Sequence, residues 1–189
     1  MVNNSPLHFR IDTCDPRREL WAAICKFVNK DPKWLPCYEQ VAKWLGDNDS
    51  RGLICVGTCG LGKSVICMQA LPFLFKRHFD IDVMAMSATE MNQRIDELLA
   101  YCGQNRVVII DDLGEEAASV YGRRPFCELV NAVERTGTLL IVTTNIRTTC
   151  DPDTRRNYPS IEARYGVPTL DRLRATTHVV VFTGESMRQ

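Results

Sequence analysis

With 189 residues, 45% of them hydrophobic and 24% charged, the chain has room for one full-sized core and not for two ordinary domains. Its 23 Lys and Arg balance 23 Asp and Glu, so no global field draws it to nucleic acid, and any such contact needs a local basic patch. Nine cysteines without a C-x-x-C pair, three isolated histidines, no signal-peptide pattern and no apolar run near the ~20 residues of a membrane span argue against zinc, secretion and a membrane, and for a reduced, cytoplasmic setting.

In chain order, residues 1–14 show no periodicity and read as an extended or loose arm. Asp15 before Pro16 reads as an N-cap with proline at the first helical position. Leu20, Trp21, Ile24, Phe27 and Val28 then line one face of a helix running to about Asn29. Pro32 and Pro36 break the chain before a second amphipathic helix, with Tyr38, Val41, Ala42 and Leu45 inward and an end near Gly46. Trp21, Trp34 and Trp44 suit base stacking or a partner surface. Packing of the two helices onto the core is the simpler reading. Residues 1–50 are expected to form a helical extension packed on a main domain spanning 51–189.

After the polar turn Asp47-Asn48-Asp49-Ser50, the apolar run Leu53-Ile54-Cys55-Val56 reads as a buried strand. It leads into Gly57-Thr58-Cys59-Gly60-Leu61-Gly62-Lys63-Ser64, which fits the phosphate-loop pattern of two glycines five apart followed by Lys and Ser. A helix from Ser64 to Lys76 follows, with Val65, Met68, Leu71 and Phe75 at helical spacing and Pro72 as a defect that kinks it. The chemistry needs these residue types. Glycines let the backbone curl until consecutive N–H groups point at phosphate oxygens, and the helix start adds its partial positive charge. Lys63 would reach the terminal phosphates and the Ser64 hydroxyl would ligate magnesium. Gly57 through Val65 are therefore the expected nucleotide-binding set, with ATP and Mg2+ as ligands.

Ile81–Met86 reads as the next strand and Thr89–Cys102 as one helix, with Met91, Ile95, Leu98 and Leu99 inward. Val107-Val108-Ile109-Ile110 is a third strand closing on Asp111-Asp112. Phe126, Leu129, Val130 and Val133 mark a helix, and Leu139–Asn145 a fourth strand tipped by polar residues. A loop from Arg147 to Pro159, helical pieces near Ile161–Tyr165 and Thr169–Ala175, and a last strand Val179–Phe182 complete the chain. Strands that alternate with helices and are nearly unbroken apolar runs indicate a parallel sheet covered on both faces. The fold class expected is α/β: a three-layer αβα P-loop NTPase with a mainly parallel five-stranded sheet.

In such sheets ligands sit beyond the carboxyl ends of the strands. Asp111 is placed there to hold magnesium through water opposite Ser64. Asp112 would orient or deprotonate the attacking water, and Asn145 would bond that water or the terminal phosphate. Two acids can also merely cap a strand, and an Asn a turn; the phosphate loop upstream favours the catalytic reading.

The ordered set Gly57…Lys63-Ser64, Val107–Asp112-Leu113-Gly114, Thr143-Thr144-Asn145, Asp171-Arg172-Leu173 and Gly184-Glu185-Ser186-Met187-Arg188 resembles the AAA+ ATPases of the bacterial helicase-loader group, of the DnaC and IstB kind. The resemblance covers about residues 50–188. It implies an AAA+ core, here without a clear C-terminal lid, that hydrolyses ATP to ADP and phosphate slowly and on assembly. Arg172 would be the finger offered to a neighbouring subunit's nucleotide, with Arg174 as a competing candidate, and Arg188 the second sensor near the bound phosphates. The implied partners are single-stranded DNA, a replicative helicase or a transposase, and further copies of the chain in an oligomer or filament. A nucleotide-gated scaffold with negligible turnover is a reading of a different class. Arg123, Arg124, Arg147, Arg155 and Arg156 are the candidate DNA contacts, or ordinary solvated loop residues. Three departures from the group stand out. Asp112 occupies the position of the usual Glu, only Ala88 to Asn105 separate the second and third strands, and two short helices stand in place of an amino-terminal helicase-binding or zinc domain.

Overall fold

Five strands, β1 (Gly52–Gly57), β2 (Val83–Ser87), β3 (Val107–Leu113), β4 (Leu139–Thr144) and β5 (Thr177–Phe182), form one sheet in the computed structural model. Their order is β2-β3-β4-β1-β5 and every pairing is parallel. The structure describes residues 6–11, 15–28, 32–116, 122–148 and 160–186. Because strand side chains alternate, the three central strands feed two cores. Leu53, Cys55, Val107, Ile109, Leu139 and Ile141 pack on one face, and Ile54, Val56, Val108, Ile110, Leu140 and Val142 on the other. Helices cover both faces, which gives the expected three layers.

The first face is covered by α1 (Pro16–Phe27), α2 (Pro36–Gly46) and the helical run after β1. Asp15 caps α1, its carboxylate accepting from Arg17 N at 3.0 Å, and Leu20, Ala23 and Ile24 are buried. The arm before α1 is not loose where it is described. Asn48, fully buried, accepts from Phe9 N at 2.9 Å and donates to the Leu7 carbonyl at 2.8 Å. That bond seats Phe9 edge-on against Trp44 and Phe75. The tryptophans follow the packing reading: Trp44 is buried, and Trp21 and Trp34 meet edge to face.

The run after β1 departs from the predicted single α-helix. It comprises α3 (Lys63–Val65), a π-helical turn over Ile66–Ala70 and α4 (Leu71–Phe79). The widened turn, closed by Leu71 N on the Ile66 carbonyl, ends just before Pro72. Proline lacks the N–H that a continuous helix would use and its ring crowds the preceding turn. Starting α4 at Leu71 puts Pro72 in a first turn, where the missing donor costs little.

The second face carries α5 (Ala88–Gln93), α6 (Ile95–Tyr101), α7 (Pro125–Thr136), α8 (Ile161–Tyr165) and α9 (Val167–Thr176). The predicted single helix over 89–102 is thus two. Ser87 and Glu90 form a reciprocal capping box at the start of α5, and Arg94 leaves helical geometry at φ −117°, ψ 24°. α6 restarts with Asp96 and Glu97 in its first turn, where acids complement the positive helix end. Met91, Ile95 and Leu98 are buried as predicted. No helix of the described residues is long and apolar enough to cross a membrane.

Candidate functional site

β1, β4 and β3 lie side by side and run the same way, so the loop after β1, the tip of β4 and the acidic end of β3 share one edge of the sheet. The loop after β1 takes positive φ at Gly57, Gly60 and Gly62, and at the first two a side chain would also meet close neighbours. A Cβ on Gly57, at φ +149°, would lie 2.0 Å from the Phe182 carbonyl oxygen. One on Gly60, at φ +82°, would lie 2.0 Å from Ser186 Oγ. The chain after β5 therefore returns to the loop, with Ser186 against Gly60. From the other side, Tyr38 of α2 donates to the Leu61 carbonyl at 3.1 Å. Thr58 and Cys59 at the loop's crest are exposed, Leu61 is buried beneath it, and Ser64 and Val65, just past the loop, are half-buried.

Lys63 is 5% exposed, and its ammonium donates to the carbonyls of Gly57 and Thr58 at 2.8 Å each and to Asn145 Oδ1 at 2.9 Å. All three of its protons are used. Burial pushes its pKa below the ordinary lysine range, while the negative charges of Asp112 and Asp111 pull it back toward the charged form. Lys63 and the strand-end Asn145 are thus in direct contact, at the sheet edge where Asp111 and Asp112 close β3.

The acids do not stand where a strand ending at Ile110 would leave them. β3 continues to Leu113 through a bulge: Ile110 pairs with Val142 and Leu113 with Thr144, so Asp111 and Asp112 together oppose the single residue Thr143. Asp112 takes a left-handed backbone at φ 53°. Thr143 Oγ1 accepts from Asp112 N at 2.9 Å and donates to Asp111 Oδ1. Thr144 Oγ1 donates to the Leu113 carbonyl at 2.6 Å and accepts from Ile146 N at 3.1 Å.

Sequence reasoning misses two of the features around the acids. One is the pair of buried hydroxyls on β4, for which Thr143-Thr144 at a strand end was the available signal. The other is Glu116. Only 7% exposed, it accepts from Gly114 N at 2.7 Å, from Arg164 Nε at 3.1 Å and from the Tyr165 hydroxyl, tying the turn after β3 to α8.

Other candidates fall elsewhere. Arg172 on α9 donates from Nε to Glu134 Oε2 of α7 at 2.8 Å and remains 39% exposed. Arg174 is exposed, and its carbonyl accepts from Arg51. Arg123 pairs with Glu128 at 2.6 Å and with Asp96 at 3.0 Å. Arg124 lies 3.4 Å from the Arg164 carbonyl. Arg155, Arg156 and Arg188 lie outside the described residues.

The donor set fits a nucleotide with magnesium. The metal takes oxygen ligands and is usually held by one or two carboxylates plus phosphates, not by an all-protein cage. Ser64 and Asp111 are donors of that kind, and no group of three or more potential metal-ligating side chains occurs among the described residues.

No protein-family model matches the chain, and no curated protein does. Solved structures match it closely in fold. The DnaC helicase loader superposes with a TM-score of 0.61 at 16% identity, covering 88% of this chain and 99% of that one. DnaI matches with a TM-score of 0.58 at 18% identity, covering 92% and 94%. AMPPCP-bound DnaA from Aquifex aeolicus matches with a TM-score of 0.56 at 15% identity, covering 86% of this chain and 50% of that one. The chain shares its fold with these three proteins.

Proposed function

We propose that the chain binds and hydrolyses ATP as an AAA+ protein and acts in DNA replication as a helicase-loader-like factor. The observation that carries the reading is the meeting of Lys63 with Asn145 beside the Asp111–Asp112 bulge, at the open end of a parallel sheet. In the proposed mechanism the amides of Gly57 to Ser64 cradle the phosphates, and Lys63 exchanges its backbone carbonyls for terminal phosphate oxygens. Ser64 and Asp111 would hold magnesium, which would offset the negative charge of the transferring phosphoryl group. Asp112 orients the attacking water and accepts its proton, and Asn145 bonds that water or the terminal phosphate. An aspartate reaches one methylene less far than glutamate, in keeping with slow turnover. Arg188 keeps the second-sensor role that the family resemblance implies. Residues 1–50 serve as a helical extension to the ATPase domain, since α1 and α2 share its core.

Phosphate release measured with and without single-stranded DNA tests this reading. Slow release that single-stranded DNA stimulates is expected, together with weak, salt-sensitive DNA binding by fluorescence anisotropy, stronger with ATP. Few phosphates are neutralised by a chain of zero net charge, so assembly must supply avidity. Tight ATP binding without release in any condition would replace the ATPase by a nucleotide-gated scaffold. The DnaC and DnaI likenesses favour a replicative helicase over a transposase as partner; co-purification from the native cell distinguishes the two.

Asp111→Asn is expected to bind nucleotide about as well as wild type in EDTA but to lose most of the gain that magnesium confers. Calorimetric titrations with and without magnesium check this. A gain equal to that of wild type would remove Asp111 from the metal site.

A further inference from the structure

Two acids opposite one buried threonine is an arrangement with a consequence. In a regular strand Asp111 and Asp112 would point to opposite faces of the sheet. The bulge between Ile110 and Leu113 gives both residues to the same partner position. Bulges of this kind re-aim side chains next to active sites. Asp112 also occupies a backbone region, φ 53°, that is uncommon for a non-glycine residue, though Asp tolerates it better than most, and that its surroundings help to impose.

The Thr143 side chain contributes to that imposition. Its hydroxyl has one proton and lone pairs to offer, and it gives the proton to Asp111 Oδ1 while accepting Asp112 N–H at 2.9 Å. The two bonds act on different things. The first fixes one oxygen of a carboxylate and so orients the other. The second pins the backbone of the next residue in its left-handed turn. Thr143 is fully buried between half-buried acids, so removing its hydroxyl takes both bonds away at once. Thr144, pointing to the other face, clamps the far end of the bulge through the Leu113 carbonyl.

We propose that Thr143 is a positioning residue for the reaction: one hydroxyl sets the metal-facing acid, Asp111, and the water-facing acid, Asp112, in a fixed mutual geometry. The inference rests on the ATPase reading above. It adds to the site a residue that acts through the two acids, to which its hydroxyl is bonded. Groups that orient metal ligands from behind typically contribute 10–100-fold to affinity or activity, and that is the scale expected here.

Thr143→Val keeps the shape and removes the hydroxyl; Thr143→Ser keeps the hydroxyl. In the nucleotide-free full chain, Thr143→Val should exchange the Asp112 amide proton about tenfold faster or more by NMR, because its acceptor is gone. Nucleotide affinity in EDTA should stay within about twofold of wild type, since phosphate-loop contacts are intact. The gain from magnesium should shrink, and kcat should fall roughly 10–100-fold with a much smaller change in KM. Thr143→Ser should restore both to within about threefold. If the valine variant does not fold, Thr143→Ala removes the same hydroxyl without laying a methyl on the carboxylate, and the same readouts apply. Unchanged amide exchange, or wild-type kcat and magnesium dependence in a folded hydroxyl-free variant, overturns the proposal. So does a loss of EDTA-state affinity in step with kcat, which marks a general packing defect. A wild-type chain with no magnesium-dependent nucleotide binding would overturn the ATPase reading itself, and the assignment of Thr143 with it.

Discussion

Lys63→Ala is expected to lower affinity for magnesium-ATP by about 10²-fold or more while the protein stays folded. Hydrogen bonds to charged partners are worth about 1.5–3 kcal/mol each, and a phosphate-loop lysine makes more than one of them. In the nucleotide-free chain the same ammonium sits among Gly57 O, Thr58 O and Asn145 Oδ1, so its bonds there are to the loop it serves and not to the apolar core. Alanine leaves those three acceptors around a polar cavity, the kind that takes up water. Burial already works against the Lys63 charge, so deleting it removes a desolvated cation along with its bonds. The thermal midpoint should therefore move by only a few degrees, on the order expected for about 1 kcal/mol. Calorimetric titration beside a circular-dichroism melt measures both. An affinity equal to wild type in a folded variant would sink the phosphate-loop assignment and everything built on it.

The features legible in the sequence are those whose constraints are local. Three glycines, a lysine and a serine within eight residues specify a loop geometry almost by themselves. Val107–Ile110 and Leu139–Val142 are apolar at every position because both faces of the sheet are covered, and that burial is visible as an unbroken run. Pairing register is a different matter. Nothing in Ile110-Asp111-Asp112-Leu113 states whether the strand stops or bulges; the answer depends on Thr143 and Thr144, more than thirty residues away. Glu116 illustrates the same limit. Gly114-Glu115-Glu116 reads as a polar turn, and its buried partners Arg164 and Tyr165 stand 48 and 49 residues further on. Pro72 shows a local rule meeting a non-local need. A helix defect is correctly expected there, yet the form it takes, a widened turn that keeps Cys67 and Leu71 in the core, is set by packing against β1 and its neighbours. Helical spacing likewise puts Arg172 on the outer side of α9 but cannot supply Glu134 as its partner.

Arg172→Ala is expected to bind ATP within about twofold of wild type yet hydrolyse it on the order of 10³-fold more slowly under assembling conditions, the lower end of what such fingers contribute. Leu170 and Leu173 are buried against the sheet, so α9 turns Arg172 outward, away from its own nucleotide loop. Its present partner, Glu134, is 51% exposed, and the pair sits at the surface. Surface ion pairs of this kind contribute about 0–1 kcal/mol, far less than a guanidinium gains against the charge spreading over a transferring phosphoryl group. A neighbouring subunit's nucleotide would therefore outcompete Glu134 for Arg172. Glu134→Gln should leave turnover intact or raise it. Arg174→Ala, the competing finger, should turn over at a rate close to wild type. Mixing Arg172→Ala with Lys63→Ala provides the decisive arrangement, because one subunit brings an intact pocket and the other an intact finger. Activity should return in the mixture to a fraction set by the share of correctly ordered neighbours. Wild-type turnover by Arg172→Ala alone would move the finger elsewhere. A mixture no more active than its two inactive parents would show that Arg172 does not act across a subunit boundary.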